Sequence, residues 1–264
     1  AFCNLDTPNR TSTRLMDGRS RSRSRSRDEF ARLKLLHISK NAGSALEDMG
    51  RQVGALWGKH WKFVQTHRGA LHPPNNGRLR SEWWHVPPRF FLEDPYCGYI
   101  PFAVVRCPYA RAISEFRCKW KGFVAPARTD HRRKQRLCAT AQDLNNWLQE
   151  KLEKGAARSP FRNGHFIPQY LYIYDAQGER YVAKENVLHF ERLRSDLQVL
   201  GSRFAVGLPA LARINESEMP RFSVQDLAEP TRRLIESEFS EDFDLLGFPR
   251  LDPCCEESGR GGKK

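Results

Sequence analysis

No stretch of this sequence is apolar for long enough to cross a membrane as a helix. A spanning helix needs ~20 apolar residues, whereas the longest runs here, such as Phe102–Val105, are the size of a strand. No charged start is followed by the apolar core of a secretory leader. The first residue is Ala1 rather than Met, so the sequence is expected to be a fragment or a processed chain. The 7 cysteines contain no C-x-x-C pair, which excludes an ordinary zinc ribbon or finger. Reduced, buried thiols are expected, with one or two bridges in a secretory lumen as the alternative.

Aromatic residues, in contrast, are plentiful. With 264 residues, 39% of them hydrophobic and 11% aromatic, the chain can bury a sizeable core. It carries 44 basic and 31 acidic side chains, a net charge of +13. Residues 1–27 hold seven Arg and two Asp; without them 37 basic and 29 acidic residues remain, a net +8. The folding part is basic by itself, which points to an anionic partner.

The run Arg19–Arg27 alternates Arg and Ser and cannot build a core, so residues 1–30 are expected to be disordered. A folded domain is expected over 31–249 and a flexible tail over 250–264. An arginine–serine tail invites an RNA-binding reading. The nearest match to an RNA-recognition strand, Lys121-Gly122-Phe123-Val124, lacks the middle residues of that signature and its stacking aromatics, so RNA is not the expected partner.

From Leu33 the texture changes. Leu33–Ile38 reads as a buried strand, Ser39–Ser44 as a turn, and Leu46, Met49, Val53 and Leu56 recur at helical spacing. Lys62–Thr66 reads as a second strand and Phe102–Val105 as a third. Pro108 then suits the first turn of a helix that presents Tyr109, Ala112, Ile113, Phe116 and Trp120. Thr140 with Asp143 forms a capping box before Leu144, Trp147, Leu148 and Leu152. Asn186–Phe190 reads as a fourth strand. Ser195 with Gln198 is expected to cap a helix to about Gly207, and Ser223 with Asp226 a last long helix through Phe239. Strands alternating with helices predict an α/β fold: a central parallel sheet covered by helices on both faces. Ligands of such sheets bind outside the carboxyl ends of the strands, where Ser39–Ser44 and Arg106–Pro108 both fall.

The small residues of Lys40-Asn41-Ala42-Gly43-Ser44-Ala45 let backbone N–H groups approach an oxyanion, and the following helix N-terminus adds positive potential. Lys40 supplies a mobile charge and Ser44 a hydroxyl. The order differs from the G-x-x-x-x-G-K-[ST] loop of nucleoside triphosphatases, because Lys40 precedes the glycine.

Leu36–Leu46 resembles the 5′-phosphosulfate loop of sulfotransferases, "HIPKTGGTSL". Phe102–Phe116 resembles that family's 3′-phosphate segment, "VRDPYERLISAY", whose Arg and Ser fall on Arg106 and Ser114. The likeness is to Golgi carbohydrate sulfotransferases and their algal and bacterial relatives. Further matches are His165–Gln169, Val187–Leu193, Asn215–Ser217 and Phe239–Phe248, so the resemblance spans about residues 33–248. Three positions depart from it: Ala45 replaces a second hydroxyl, Cys107 an Asp or Asn, and His189 an Arg.

The resemblance implies a P-loop-like sulfotransferase fold and transfer of a sulfuryl group from 3′-phosphoadenosine 5′-phosphosulfate to a hydroxyl or amine. The acceptor is expected to be a neutral or anionic glycan, in the Golgi lumen or at its membrane through an N-terminal anchor outside this sequence. Donor contacts are expected from Lys40, Asn41, Ala42, Gly43, Ser44, Ala45, Arg106 and Ser114. Lys40 would neutralise the leaving phosphate, by analogy with phosphoryl transfer. No metal is expected. A base must take the acceptor's proton, and His67 and His85 compete for that role, His67 being preferred and His85 positioning the acceptor. Trp83 and Trp84 offer faces for a sugar, although packing is the commoner use of Trp. The rival readings are an arginine–serine-tailed RNA-binding protein and a donor-binding module without activity.

Overall fold

The computed structural model describes residues 28–61, 82–123, 138–157, 164–212 and 219–251. The Arg/Ser run, the expected strand Lys62–Thr66, His67, the Asn215–Ser217 match and the tail after residue 251 lie outside the described residues.

Three strands, β1 (Leu33–Leu36), β2 (Ile100–Val105) and β3 (Val187–His189), form a parallel sheet in the order β1-β2-β3. Alternation along each strand sends side chains to opposite faces. Leu33, Leu35, Phe102, Val104 and Leu188 meet Leu46 and Met49 of α1 (Gly43–Gln52) and Leu193, Leu197 and Leu200 of α5 (Leu193–Arg203). Leu36, Ala103 and Val105 face the other way, onto Trp61, Val86, Phe91, Ile167, Tyr172 and Ile173. Lys34 shares this second face, its Nζ 4.7 Å from the Trp61 ring and 5.1 Å from that of Tyr99, and burial lowers its pKa. Both faces are therefore covered, as an α/β fold requires.

A third apolar cluster joins α2 (Pro108–Phe116), α3 (Ala141–Glu153) and α6 (Glu229–Glu238). The capping box at Thr140 is formed: its hydroxyl accepts from Asp143 N at 3.2 Å while its own N–H donates to Asp143 Oδ2 at 2.8 Å. Two short helices, α4 (Tyr170–Ile173) and α7 (Ser240–Leu246), complete the described helices longer than one 3-10 turn and lying between 33 and 251.

Several sequence expectations need correction. Helix α1 stops at Gln52, because Gly54 takes a left-handed conformation (φ 75°), and Leu56 is 52% exposed rather than in the core. Helix α2 stops at Phe116, so Trp120 leaves its apolar face and is 78% exposed. The chain folds back there, with Gly122 N donating to Cys118 O, and Phe123 stacks on Phe116 instead. That turn needs glycine, since a β-carbon at 122 would strike the carbonyls of Glu115, Phe116 and Cys118.

Ser195 does not cap a helix but lies inside α5, its hydroxyl donating to Arg192 O, and α5 ends at Arg203 rather than near Gly207. The Ser223–Asp226 box caps one 3-10 turn, Val224–Asp226; α6 begins afterwards, at Glu229, with Pro230 in its first turn, where a missing N–H costs nothing. Two of the strands are shorter than expected, ending at Leu36 and His189, while β2 begins two residues earlier than expected, at Ile100.

Candidate functional site at the strand ends

The loop after β1 turns sharply before α1. Lys40 (φ 70°) and Ala42 (φ 65°) both adopt the left-handed conformation, which costs a residue with a β-carbon about 1–2 kcal/mol. Such strain persists where surrounding contacts over-determine the backbone. Here Asn41 supplies them: its buried Nδ2 donates to Val104 O on β2 and to Gln169 Oε1, each at 2.7 Å. Gly43 is required by the approach of the His37 ring, which a β-carbon at 43 would strike.

Among the described residues, no group accepts a hydrogen bond from the backbone N–H of Lys40, Asn41, Ala42, Gly43 or Ser44. Ala45 differs, because its N–H donates to Ala42 O at 3.0 Å. Successive amides in a left-handed/right-handed alternation, ending at a helix N-terminus, form an anion-binding concavity. The side chain of Asn41 points inward, so the amide it offers such an anion is its backbone N–H.

Arg106 comes from the end of β2 to the same place. Its Nη1 donates to Lys40 O at 3.1 Å, and its guanidinium lies 4.1 Å from the Phe190 ring centre. Burial lowers its pKa to about 10, and its Nε is buried without a hydrogen-bond partner among the described residues. Ser114, half-buried, is farther along α2, about 9 Å from the helix start at 1.5 Å per residue.

Beneath these loops runs a buried polar layer. Gln169 Oε1 accepts from Asn41 Nδ2 and from Arg106 N, while its Nε2 donates to Arg106 O and Asp242 Oδ2. Asp242 also accepts from the backbone N–H groups of Gln169 and Tyr170, and burial keeps its carboxyl above the ordinary range. Arg111 is buried with its guanidinium on the carbonyls of Ser39, His165 and Ile167. Three histidines stand in a row: His37 and His85 ring centres are 4.6 Å apart, and those of His85 and His165 5.3 Å.

Each end of the row has a carboxylate. His37 Nδ1 lies 2.6 Å from Glu47 Oε1, and His165 Nδ1 lies 2.8 Å from Glu115 Oε2. Burial raises the Glu47 carboxyl, but the His37 bond, with the amide and charge of Lys59, brings it below its ordinary value. His85 is buried, and that burial, reinforced by the neighbouring imidazoles, pushes its pKa well below the usual value. His165 moves up: burial opposes its charge, yet Cys118 and Glu115 outweigh it. The Cys118 thiol is raised by burial but brought down to about 7 by its bond to His165, with Lys40 contributing.

The structure thus brings Lys40–Ala45, Arg106 and the His85 row to one end of the sheet. No family model, curated protein or solved structure matches this chain. The residues alone carry the argument. Trp83 and Trp84 are partly buried against the second apolar cluster, in keeping with packing. Glu47 and Cys118 are site residues that lie outside the matched segments, and no local spacing marks them. Arg111, Glu115, His165, Gln169 and Asp242 carried a signal, as parts of matched segments, without a role.

Proposed function

We propose that this chain is a sulfotransferase that uses 3′-phosphoadenosine 5′-phosphosulfate and acts on carbohydrate. The observation that carries the reading is the run of five amides, Lys40 to Ser44, with no acceptor among the described residues, held by two left-handed residues at the start of α1. Those amides would take the phosphosulfate oxygens, Lys40 the charge on the leaving phosphate, and Arg106 with Ser114 the 3′-phosphate. A guanidinium suits that phosphate because its fork matches two oxygens at once. In the transfer, the sulfur–oxygen bond to the donor phosphate breaks as one to the acceptor oxygen forms, and the acceptor proton passes to one histidine, His67 being preferred as the base and His85 as the group that positions the acceptor. The fold is, on this reading, the P-loop-like sulfotransferase fold.

Setting follows from the same reading. Among the described residues no helix is long and apolar enough to cross a membrane. Cys97 is disulfide-bonded whereas Cys107, Cys118 and Cys138 are thiols, and a bridge favours an oxidising lumen such as that of the secretory pathway.

Radiolabelled sulfate transfer to a panel of polysaccharides and small alcohols tests the activity, with calorimetric binding of 3′-phosphoadenosine 5′-phosphate alongside. Labelled glycan is the expected result. Donor binding without transfer to any acceptor would make the chain a binding module, and absence of both would remove the reading.

A further inference from the structure

We infer that Glu115, Cys118 and His165 form a binding site for one divalent transition-metal ion, Zn2+ by its ligand chemistry. The inference does not depend on sulfuryl transfer. One ligand atom from each residue lies within 4.8 Å of the other two. Zinc bonds of ~2.0–2.3 Å at tetrahedral angles put ligand atoms about 3.3–3.8 Å apart, so small side-chain rotations close the set. Nitrogen, thiolate and carboxylate together suit Zn2+, while Mg2+ and Ca2+ prefer oxygen alone. A thiolate and a carboxylate also cancel the charge of the ion, so the ion and its ligands together are neutral beside the buried guanidinium of Arg111.

The scaffold holds the three from two rigid pieces. Glu115 lies on the last turn of α2, and the fold-back after it returns Cys118, whose N–H donates to Glu115 O at 2.9 Å. His165 comes from the segment before α4, fixed by Arg111 Nη2 on its carbonyl at 2.9 Å.

Two further observations point to a guest. Glu115 is 1% exposed, and its Oε1 has no hydrogen-bond partner among the described residues, a state that costs a buried carboxylate free energy until something fills it. A cavity of about 10 Å³, the size of one small guest, borders Glu115 and His165, with Arg111 in its wall and Cys118 outside its lining. His85, whose ring neighbours that of His165, likewise has a buried Nδ1 without a partner among the described residues. The ion would clip the end of α2 to the segment leading to Gln169, and thereby to the amide that holds Asn41 and Arg106.

The full chain, expressed with zinc and dialysed against a weak chelator, is analysed for metal by mass spectrometry, and again after exchange into Co2+. About one zinc per chain is expected, falling at least tenfold in Cys118→Ser and in His165→Ala but unchanged in Cys138→Ser. The cobalt form of the wild type should show a thiolate charge-transfer band. Should a variant fail to fold, that band on the wild-type chain still decides. Zinc well below one per chain with no cobalt–thiolate band overturns the inference and leaves a hydrogen-bonded Glu–His–Cys trio. Retention of zinc in folded Cys118→Ser and His165→Ala overturns it as well, by placing the metal elsewhere.

Discussion

The layer between the sheet and helices α1 and α5 and the layer beneath the strand-end loops are equally buried and built on opposite principles. In the first, Leu35, Phe102, Val104, Leu46 and Leu197 meet in contacts without direction. Any one of them can shift slightly and its neighbours follow. In the second, Gln169 joins Asn41 to Asp242, and Arg111 holds the carbonyls of Ser39, His165 and Ile167, all by directional bonds, several groups serving two partners. Removing one group there strands the others, and a stranded buried polar group costs about 1–3 kcal/mol. The apolar layer supplies stability; the polar layer fixes where the loop amides and Arg106 point.

The contrast can be broken from its apolar side first. Phe102→Ala should cost about 3–5 kcal/mol of stability, read from denaturant melts, while the fraction that stays folded binds 3′-phosphoadenosine 5′-phosphate as the wild type does. A donor affinity that falls with stability would show that the two layers are not separable. Lys40→Ala should do the reverse, lowering turnover by ~10²–10³-fold, as for loss of one group aimed at developing negative charge, with a melting temperature close to wild type.

Arg106→Ala should weaken binding of the same nucleotide by about 1.5–3 kcal/mol, as for a charge-assisted hydrogen bond; unchanged affinity in a titration calorimeter would take the 3′-phosphate away from this residue.

Smaller effects sharpen the comparison. The Glu47 carboxyl, set below its ordinary value in the folded chain, adds stability that is present above the unfolded carboxylate pKa of about 4.3 and is lost as pH falls through the folded value. The gap in melting temperature between wild type and Glu47→Gln should therefore be widest near neutrality and close in acid; a gap independent of pH would assign Glu47 a packing role. Deletion of residues 1–27 should leave melting and donor binding intact and weaken only the salt-dependent retention on an acidic polymer.

The apolar layer was largely legible in the sequence. Leu33–Ile38, Phe102–Val105 and Asn186–Phe190 announce themselves as short, largely apolar runs that hold the three strands, and the turn Ser39–Ser44 by its small residues between strand and helix. The capping box at Thr140 was readable because its two partners are three residues apart. Helix ends were harder: Ser195 is a good capping residue placed inside a helix, and Ser223 caps a turn that Pro230 keeps from becoming the longer helix. The polar layer was nearly illegible, for a physical reason. His37, His85 and His165 form a row from three distant points in the chain, and Gln169 joins Asn41 to Asp242. Side-chain bonds of this kind leave no period in the sequence.

One consequence of the Asn41–Gln169–Asp242 linkage concerns the order of folding. Its members come from the beginning, middle and end of the described chain, and β1 pairs with β2 across more than sixty intervening residues. Contacts so distant in sequence form slowly, because the chain must close long loops before any of them is rewarded. A helix such as α3 can appear early from local contacts, but the left-handed turn at Lys40 and Ala42 has no support until Val104 and Gln169 are both in place. The geometry of this loop is thus acquired at the last stage of folding, and if the loop binds the proposed nucleotide, that binding followed during refolding would time completion of the whole domain rather than formation of any one of its elements.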